Sequence, residues 1–155
     1  MPFTVRDFQS ADFETLWRLD QECFPPGVSY SRAELKLYMR RGRSFTLVAE
    51  DAAATRGKGL VSGFIVAEAD GRGHGHIITI DVIATARRFG VGSLLLRTAE
   101  HRLRASGCRA IELETAVDNS SALAFYKRHG YNVIKTFPRY YSNGVDALVL
   151  QKDPS

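Results

Sequence analysis

The chain contains short apolar segments of two kinds, one with the pattern of β-strands and one with the pattern of helices. Seven of them follow the pattern of β-strands, in which every second residue or the whole run is apolar. They cover residues 3–8, 45–50, 60–68, 76–83, 110–116, 131–136 and 145–150. Four others repeat apolar residues at helical spacing: residues 12–23, a segment that begins near Ser31, residues 91–106 and residues 120–129. The order β-α-α-β-β-β-α-β-α-β-β predicts an α/β (α+β) domain with a mixed sheet and helices on both faces.

Polar residues mark several ends of these elements. Ser31 and Glu34 have the spacing of a capping box, and Asn119 is a candidate N-cap for the last helix. His129 falls at the end of that helix and is interpreted as a residue of the helix surface. The Asn143-Gly144 pair predicts a tight turn between the last two strands.

Length and composition limit the class of protein. The chain has 155 residues, of which 45% are hydrophobic and 25% charged, so we predict one soluble domain over residues 1–155. Residues 51–59, rich in alanine, glycine and charge, predict a surface loop. No apolar run approaches the roughly 20 residues of a membrane span, and the N-terminus lacks an apolar stretch of signal-peptide length. We therefore expect a cytoplasmic protein without a membrane partner.

The net charge of +4 comes mainly from arginine. It suits an anionic ligand or nucleic acid and does not choose between them. Nucleic-acid binding favours basic residues interleaved with surface aromatic residues, a pattern that this sequence shows only weakly, at Tyr140-Tyr141. No direct nucleic-acid binding is therefore expected, and the sequence leaves the oligomeric state open.

Cysteine and histidine offer little metal chemistry. Cys23 and Cys108 lie beside hydrophobic segments and outside any CxxC pair, so we expect two buried free thiols, with a disulfide left open. His74 and His76 have no neighbouring set of Cys, Asp or Glu ligands, which favours a solvated turn over a metal site. No bound metal is expected.

A glycine loop is the first candidate binding site. A strand runs directly into Arg87-Arg88-Phe89-Gly90-Val91-Gly92, and a helix follows at once. A helix N-terminus has unpaired N–H groups and a partial positive charge, and glycine lets a phosphate come close to the backbone. A tight turn with a purely structural role is the equal alternative at this point. The loop has neither the lysine of a Walker A loop nor the third glycine of a dinucleotide fingerprint.

A second segment, one strand downstream, favours the binding site over the structural turn. Asn119, Ala122, Tyr126, Gly130 and Tyr131 have the spacing N-x-x-A-x-x-x-Y-x-x-x-G-Y. Together with R-x-x-G-x-G in the loop, they resemble the GNAT N-acetyltransferase family over nearly the whole chain. The resemblance implies a mostly antiparallel sheet of about seven strands, acetyl-CoA as co-substrate and direct acetyl transfer to a primary amine. A small-molecule amine or lysine acetyltransferase and a non-catalytic acyl-CoA-binding module stay as alternatives.

Two further segments resemble one branch of that family. Residues 139–147, with paired tyrosines followed by Gly and Asp-Ala, resemble protein N-terminal acetyltransferases, including the RimI-type ribosomal-protein-alanine enzymes. The bend around Phe24 is similar to the same group. This implies a protein or peptide N-terminus as acceptor, a ribosomal protein being one candidate. Phe24, Tyr140 and Tyr141 are then candidates for substrate contact, and aromatic cover of a hairpin is the equal alternative for the two tyrosines.

The resemblance also assigns the cofactor-binding residues. Backbone amides of the loop would hold the diphosphate, the end of the preceding strand would pair with the pantetheine arm, and Asn119 would hydrogen-bond to that arm. The residues concerned are Ile80, Asp81, Val82, Arg87, Arg88, Phe89, Gly90, Val91, Gly92, Ser93 and Asn119. Asp81 stands where the family usually has a small or apolar residue, which leaves the polarity of the substrate pocket open.

The same resemblance assigns the catalytic residues. In RimI-type enzymes the base is a glutamate twelve residues before the motif tyrosine, which is Glu114 here, and Tyr126 would be the acid for the leaving thiolate. Strand alternation puts Glu112 on the same face as Glu114, so Glu112 is the local rival for the base. A solvated strand position for either glutamate, and a packed helix position for Tyr126, are the structural alternatives.

Overall fold

The structure is a computed structural model that describes residues 3–51 and 60–153. Its helices are α1 (Phe13–Cys23), α2 (Arg32–Arg40), α3 (Val91–Ala105) and α4 (Ser120–Arg128). Its strands are β1 (Phe3–Asp7), β2 (Ser44–Asp51), β3 (Leu60–Ala69), β4 (His74–Val82), β5 (Ala110–Ala116), β6 (Asn132–Phe137) and β7 (Ala147–Lys152). The order of helices and strands is the predicted one, while most of the predicted loop, residues 52–59, lies outside the described residues.

Seven strands form one sheet in the order β1-β2-β3-β4-β5-β7-β6. Every neighbouring pair is antiparallel except β4 and β5, which run parallel. Parallel neighbours need a crossover connection, and α3 lies in the one between β4 and β5. The predicted mixed, mostly antiparallel sheet is therefore confirmed.

The sheet has a packed core on each face. The core on one face joins α3 and α4 to the sheet and includes Leu95 and Ile111. The core on the other face joins α1 and α2 to the sheet and includes Leu16, Leu35 and Phe64. All five side chains are fully buried, as expected for apolar residues at the inner positions of amphipathic helices and strands. Helices on both faces are therefore confirmed.

The strands β4 and β5 pair only over their first four residues. The partners run from His74 with Ala110 to Ile77 with Leu113. At the next residue, Ile78, the register of β4 against β3 shifts by one position, which is a β-bulge. A bulge bends its strand and increases the local twist. Residues 78–82 of β4 thus have no recorded partner on the β5 side, and the opening between the two strands is called the cleft below.

Several local predictions are confirmed. Ser31 Oγ accepts the N–H of Glu34 at 3.1 Å, and the Glu34 carboxylate accepts the N–H of Ser31 at 2.9 Å, which is the predicted capping box. Asn119 Oδ1 accepts the N–H of Ala122 at 3.2 Å, so Asn119 is the N-cap of α4.

In the part of the chain that the structure describes, no helix has the length and apolar character needed to span a membrane.

The connection between β6 and β7 contains the predicted turn. Asn143 and Gly144 do form a turn, in which the N–H of Gly144 donates to the carbonyl of Tyr141 at 2.9 Å. This turn lies inside a connection that runs from residue 138 to residue 146, so the tight turn predicted at Asn143-Gly144 is confirmed. A side-chain contact spans the connection before β7: the Asp146 carboxylate accepts the N–H of Arg139 at 2.8 Å. That bond closes a wider loop, and β7 begins two residues later than predicted.

Candidate active site

Glu114 lies on β5 at the point where this strand separates from β4, and its carboxylate meets a histidine. His76 Nε2 lies 2.8 Å from one carboxylate oxygen of Glu114 and 3.1 Å from the other. The two side chains come together because β4 and β5 are parallel neighbours, with His76 opposite Glu112. Ile111 and Leu113 belong to the core under α3, so alternation along β5 places Glu114 and His76 on the face of α1 and α2.

The prediction of a solvated turn at His74 and His76 was wrong. Both residues belong to β4, and the side chain of His76 is only partly exposed. Gly75, between the two histidines, is a buried strand residue, and a Cβ there would lie 2.9 Å from the Leu103 side chain of α3. Gly75 therefore makes room for a helix. Among the described residues, no group of three or more His, Cys, Asp or Glu is placed to hold a metal ion.

The environment of His76 favours its protonated form. Burial opposes the charge on the ring, but the hydrogen bond with Glu114 and the nearby Glu68 and Glu112 carboxylates outweigh burial and raise the pKa of His76. The pair therefore holds a proton to a higher pH than an isolated histidine does. A proton-sharing pair at the edge of a cleft is suited to accept a proton from a bound amine.

Carboxylates also line the surface beside this pair. A cavity of about 330 Å³ is lined by Glu68, Asp70, His74, His76, Glu112 and Glu114. Glu112, the rival candidate, is half-buried on the same face of β5 as Glu114. Unlike Glu114, it has no recorded hydrogen bond or ion pair with another described side chain. The geometry therefore separates the two glutamates: only Glu114 is joined to the histidine.

Tyr126 approaches the cleft from the side of α4. It is buried, and its ring lies edge-on to those of Phe125 and Tyr131, at centroid distances of 5.3 Å and 5.9 Å. Burial raises the pKa of Tyr126, and the charges of Asp81 and Tyr141 raise it further, so the hydroxyl keeps its proton. Within residues 3–51 and 60–153 this hydroxyl has no recorded hydrogen-bond partner. It is therefore a neutral donor free to bind a ligand atom.

The glycine loop has the backbone conformation that its sequence requires. Gly90, the residue before α3, has φ of 82°, and Arg88 has φ of 71°, both in the left-handed region. Gly90 adopts this conformation without strain, and a residue with a Cβ would not. Gly92 lies in the first turn of α3, where an added Cβ would be 3.4 Å from the ring of Phe125. The loop is therefore packed against the helix that carries Tyr126.

The two loop arginines have different surroundings. Arg87 folds back, and its Nε donates to the carbonyl of Val82 at 3.1 Å, which braces the end of β4. The thiol of Cys23, at the end of α1, donates to the same carbonyl at 3.5 Å. Arg88 and Phe89 are exposed, so both side chains are open to a ligand. Both cysteines of the chain are free, as expected, although Cys23 is only half-buried.

Two loops close over the face of α1 and α2. The carbonyl of Gly27, after α1, accepts the backbone N–H and the hydroxyl of Ser142 at 3.3 Å and 3.1 Å. These contacts place the half-buried Phe24 on one side and Tyr140 and Tyr141 on the other. Burial raises the pKa of Tyr140, and the facing carboxylate of Glu114 contributes. The three residues predicted to contact substrate thus lie in two loops that touch, with one tyrosine beside Glu114.

A buried carboxyl pair was missed by the sequence interpretation. Asp20 of α1 and Asp81 of β4 are 0% and 1% exposed, and each has one well-paired oxygen. Asp20 accepts the N–H of Tyr30 at 2.7 Å, and Asp81 accepts the hydroxyl of Thr79 at 2.6 Å. The other two oxygens find no donor among the described residues. Burial, followed by the neighbouring Asp20 carboxyl, raises the pKa of Asp81 well above its usual range, so the pair shares one proton.

Asp81→Asn is expected to change how stability depends on pH. The pKa of Asp81 is higher in the folded protein than in the unfolded chain, so the folded state favours the protonated carboxyl. This preference adds to the free energy of unfolding in full below the unfolded pKa, and the contribution is lost as pH rises through the folded pKa. The loss is about 1.4 kcal/mol for each pH unit between the two values. An amide supplies the shared hydrogen without titrating, so the variant should gain most over wild type at high pH. Thermal unfolding at several pH values checks this.

The control for that experiment is Asp118→Asn, which changes an exposed carboxylate. It should leave the pH dependence of unfolding as in wild type. An Asp81→Asn protein whose stability runs parallel to wild type at every pH would mean that the pair holds no extra proton.

Comparisons with known proteins bear on the family of the chain. The sequence model of the acetyltransferase (GNAT) family matches residues 13–131. An uncharacterised N-acetyltransferase of Methanocaldococcus jannaschii is 33% identical over 153 residues, which is 97% of this chain and 92% of that protein. The human N-alpha-acetyltransferase 30 is 39% identical over 77 residues, which is 50% of this chain but only 21% of that protein.

Solved structures show the same architecture. Ard1 from Thermoplasma volcanium superposes with a TM-score of 0.86 at 27% identity, over 99% of this chain and 98% of that one. A chain of the NatC complex, solved with a Gag peptide and CoA, superposes with a TM-score of 0.83 at 25% identity, over 99% of both chains. Because the family match spans most of the chain and the archaeal relative aligns along nearly its full length, the chain belongs to the GNAT family of N-acetyltransferases.

Proposed function

We propose that this chain uses acetyl-CoA to acetylate the α-amino group at the N-terminus of a protein or peptide, by direct attack in a ternary complex. The observation that carries the proposal is the cleft between β4 and β5. The glycine loop lies at the end of β4, the Glu114–His76 pair lies where the strands separate, and the free hydroxyl of Tyr126 approaches from α4.

The glycine loop fits a diphosphate. The first intrahelical hydrogen bond of α3 is donated by Leu94 to Gly90 at 2.9 Å, so the N–H groups of residues 91–93 have no partner within the helix. These groups and the helix dipole attract an anion. Gly92 lets the first turn of α3 pack against Phe125, and the exposed Arg88 adds positive charge beside the loop.

The open side of β4 fits the pantetheine arm. Residues 78–82 have no strand partner there, and the arm is an extended chain with amide groups that can pair with such an edge. Asn119 uses its carbonyl oxygen to cap α4, which leaves its amide nitrogen as a donor for the arm. When bound, acetyl-CoA supplies an acetyl thioester within the cleft.

Glu114 is the proposed base for the acceptor amine. A protein α-amino group has a pKa of about 7.7–8.0, so a fair fraction is neutral near pH 7 and the base removes a proton only as the new bond forms. Glu114 can accept that proton directly or through one water. His76 holds the carboxylate in place by a hydrogen bond at 2.8 Å.

Tyr126 is the proposed acid for the leaving thiolate. Its hydroxyl stays protonated because burial, Asp81 and Tyr141 raise its pKa. Since this hydroxyl has no recorded hydrogen-bond partner among the described residues, it can donate to the sulfur atom of the leaving group. Donation of this proton stabilises the charge that develops on the leaving group. Base and acid thus come from different elements, β5 and α4, on either side of the cleft.

The acceptor is proposed from the loops and from the relatives. Tyr140 and Tyr141 form an aromatic pair beside Glu114, and Phe24 lies in the loop that contacts theirs. Such a surface suits the first side chain of a peptide, while the nearby carboxylates attract an amine. The human relative is named an N-alpha-acetyltransferase, and the similar NatC structure holds a peptide with CoA. The proposal includes two further points: the chain is a single domain over residues 1–155, and within its family it is most similar to the RimI-type enzymes.

Release of free CoA thiol across an acceptor panel tests this proposal. The panel consists of peptides that differ only in the first residue, the same peptides with a blocked α-amine and one internal lysine, a polyamine and an aminoglycoside. We expect turnover with peptides that have a free α-amine. Faster turnover with the blocked peptides or the small amines would assign a lysine or small-molecule acetyltransferase. Binding of acetyl-CoA without turnover would indicate a non-catalytic module.

A further inference from the structure

His129 connects the helix that carries Tyr126 to the glycine loop. It ends α4, and its Nε2 lies 2.9 Å from Oγ of Ser93 in the first turn of α3. Its ring packs against that of Phe125 at a centroid distance of 4.8 Å, and the same Phe125 ring faces Gly92. The imidazole is therefore held against the part of the loop assigned to the diphosphate.

The charged groups around His129 come from α3, α4 and β7. Burial lowers the pKa of His129, Glu100 acts in the opposite direction, and Lys152, Arg97 and Arg128 lower it further. Glu100 is already engaged, since its carboxylate accepts a hydrogen bond from Lys152 Nζ at 3.2 Å. The ring is therefore predominantly neutral at neutral pH when no anion is bound.

We propose that His129 is a proton-linked positioning residue for acetyl-CoA: it takes up a proton as the diphosphate binds and, through Ser93, turns a hydroxyl hydrogen toward the phosphate. The inference rests on the proposed binding of acetyl-CoA at the glycine loop and adds to it a residue outside that loop.

The geometry of the contact explains the coupling. The hydrogen bond between Ser93 and His129 contains one proton. In the neutral ring Nε2 can be the acceptor, and the hydroxyl hydrogen is then directed at the imidazole. In the imidazolium Nε2 must donate, so Ser93 Oγ accepts and its own hydrogen is free for a phosphate oxygen. A nearby diphosphate also stabilises the imidazolium by its charge, so both effects join proton uptake to binding.

The sign of the pH dependence follows from linkage. Because the complex holds the proton more tightly, the pKa of His129 is higher with ligand bound than in the free protein. The gain in affinity is complete below the free pKa and is lost as pH rises through the bound pKa. Each unit of difference between the two pKa values corresponds to a tenfold change in affinity.

Two measurements with coenzyme A test the proposal. The chain has four histidines, so the ring signals of His129 can be followed by NMR against pH and assigned with His129→Gln. We expect coenzyme A to raise the pKa of His129 by about one unit or more. We also expect calorimetry to show that the affinity of wild type for coenzyme A falls with rising pH by about tenfold or more beyond any fall seen with His129→Gln. That variant has an amide that can hydrogen-bond to Ser93 but does not titrate, so titration of the ligand itself cancels in the comparison.

Further variants separate the contributions. His101→Gln changes an exposed histidine of α3 and should keep the wild-type profile, whereas Ser93→Ala should leave only the part of the pKa shift that comes from charge. An unchanged or lowered pKa of His129 in the complex, or equal pH dependence in wild type and His129→Gln, would overturn the proposal. If wild type did not bind coenzyme A at any pH, the assignment of the glycine loop as the diphosphate site would be wrong, and this inference would be wrong with it.

Discussion

Replacement of Glu114 by glutamine is expected to lower kcat by about 10²–10⁴, the usual contribution of a general base, with little change in the affinity for acetyl-CoA. The amide keeps the shape of the side chain and can still hydrogen-bond to His76, which lies 2.8 Å away, so the fold and the cleft should persist. It cannot accept a proton from the acceptor amine. Steady-state kinetics with a peptide acceptor, together with calorimetry for the cofactor, measures both quantities.

The matched control is Glu112→Gln. This residue is on the same strand face, two positions away, and is half-buried like Glu114, but it is not joined to the histidine. It should keep kcat within a few-fold of wild type. If Glu112→Gln lost the larger share of turnover, the base would have been assigned to the wrong carboxylate. If neither variant lost turnover, proton removal would not depend on this face of β5.

Gly92→Glu is expected to abolish binding of acetyl-CoA at ordinary concentrations while the protein stays folded. The new carboxylate lies in the first turn of α3, where a negative charge is compatible with the helix dipole but competes with a phosphate. Two such charges about 4 Å apart oppose each other by about 4 kcal/mol at an effective dielectric constant of about 20. The affinity should therefore fall on the order of 10³-fold, which calorimetry can measure.

Gly92→Ala is the control for charge. A Cβ at this position would lie 3.4 Å from the ring of Phe125, so a methyl group needs at most a small adjustment. The alanine variant should bind acetyl-CoA within about tenfold of wild type, and circular dichroism should show both variants folded. Unchanged affinity in a folded Gly92→Glu protein would contradict the placement of the diphosphate at the loop.

Much of the fold could be predicted because it depends on local patterns. The apolar spacing along residues 91–106 and the capping box at Ser31 are signals within one helix, and both were confirmed. Alternation on β5 likewise predicted that Glu112 and Glu114 share a face. The glycine loop was visible as a motif, and the left-handed φ of Gly90 shows why glycine is needed at that position.

The contacts that complete the site are long-range, and no local pattern contains them. His76 meets Glu114 only through the parallel register of two strands that are joined by a helix. Asp20 meets Asp81 only because α1 packs on β4, and His129 meets Ser93 only because α4 packs on the glycine loop. Asp81 did carry a signal, as a polar residue in an apolar strand, but its partner could not be read from the sequence.

The central claim is that acetyl groups pass from acetyl-CoA to a peptide α-amine in the cleft between β4 and β5. The most direct measurement uses one peptide with a free α-amine and one internal lysine, incubated with acetyl-CoA and the enzyme and sequenced by fragmentation mass spectrometry. We predict a single acetyl group on the first residue, formed by wild type and lost with Glu114→Gln. Acetylation of the lysine side chain, or modification at equal rates by the two proteins, would contradict the account.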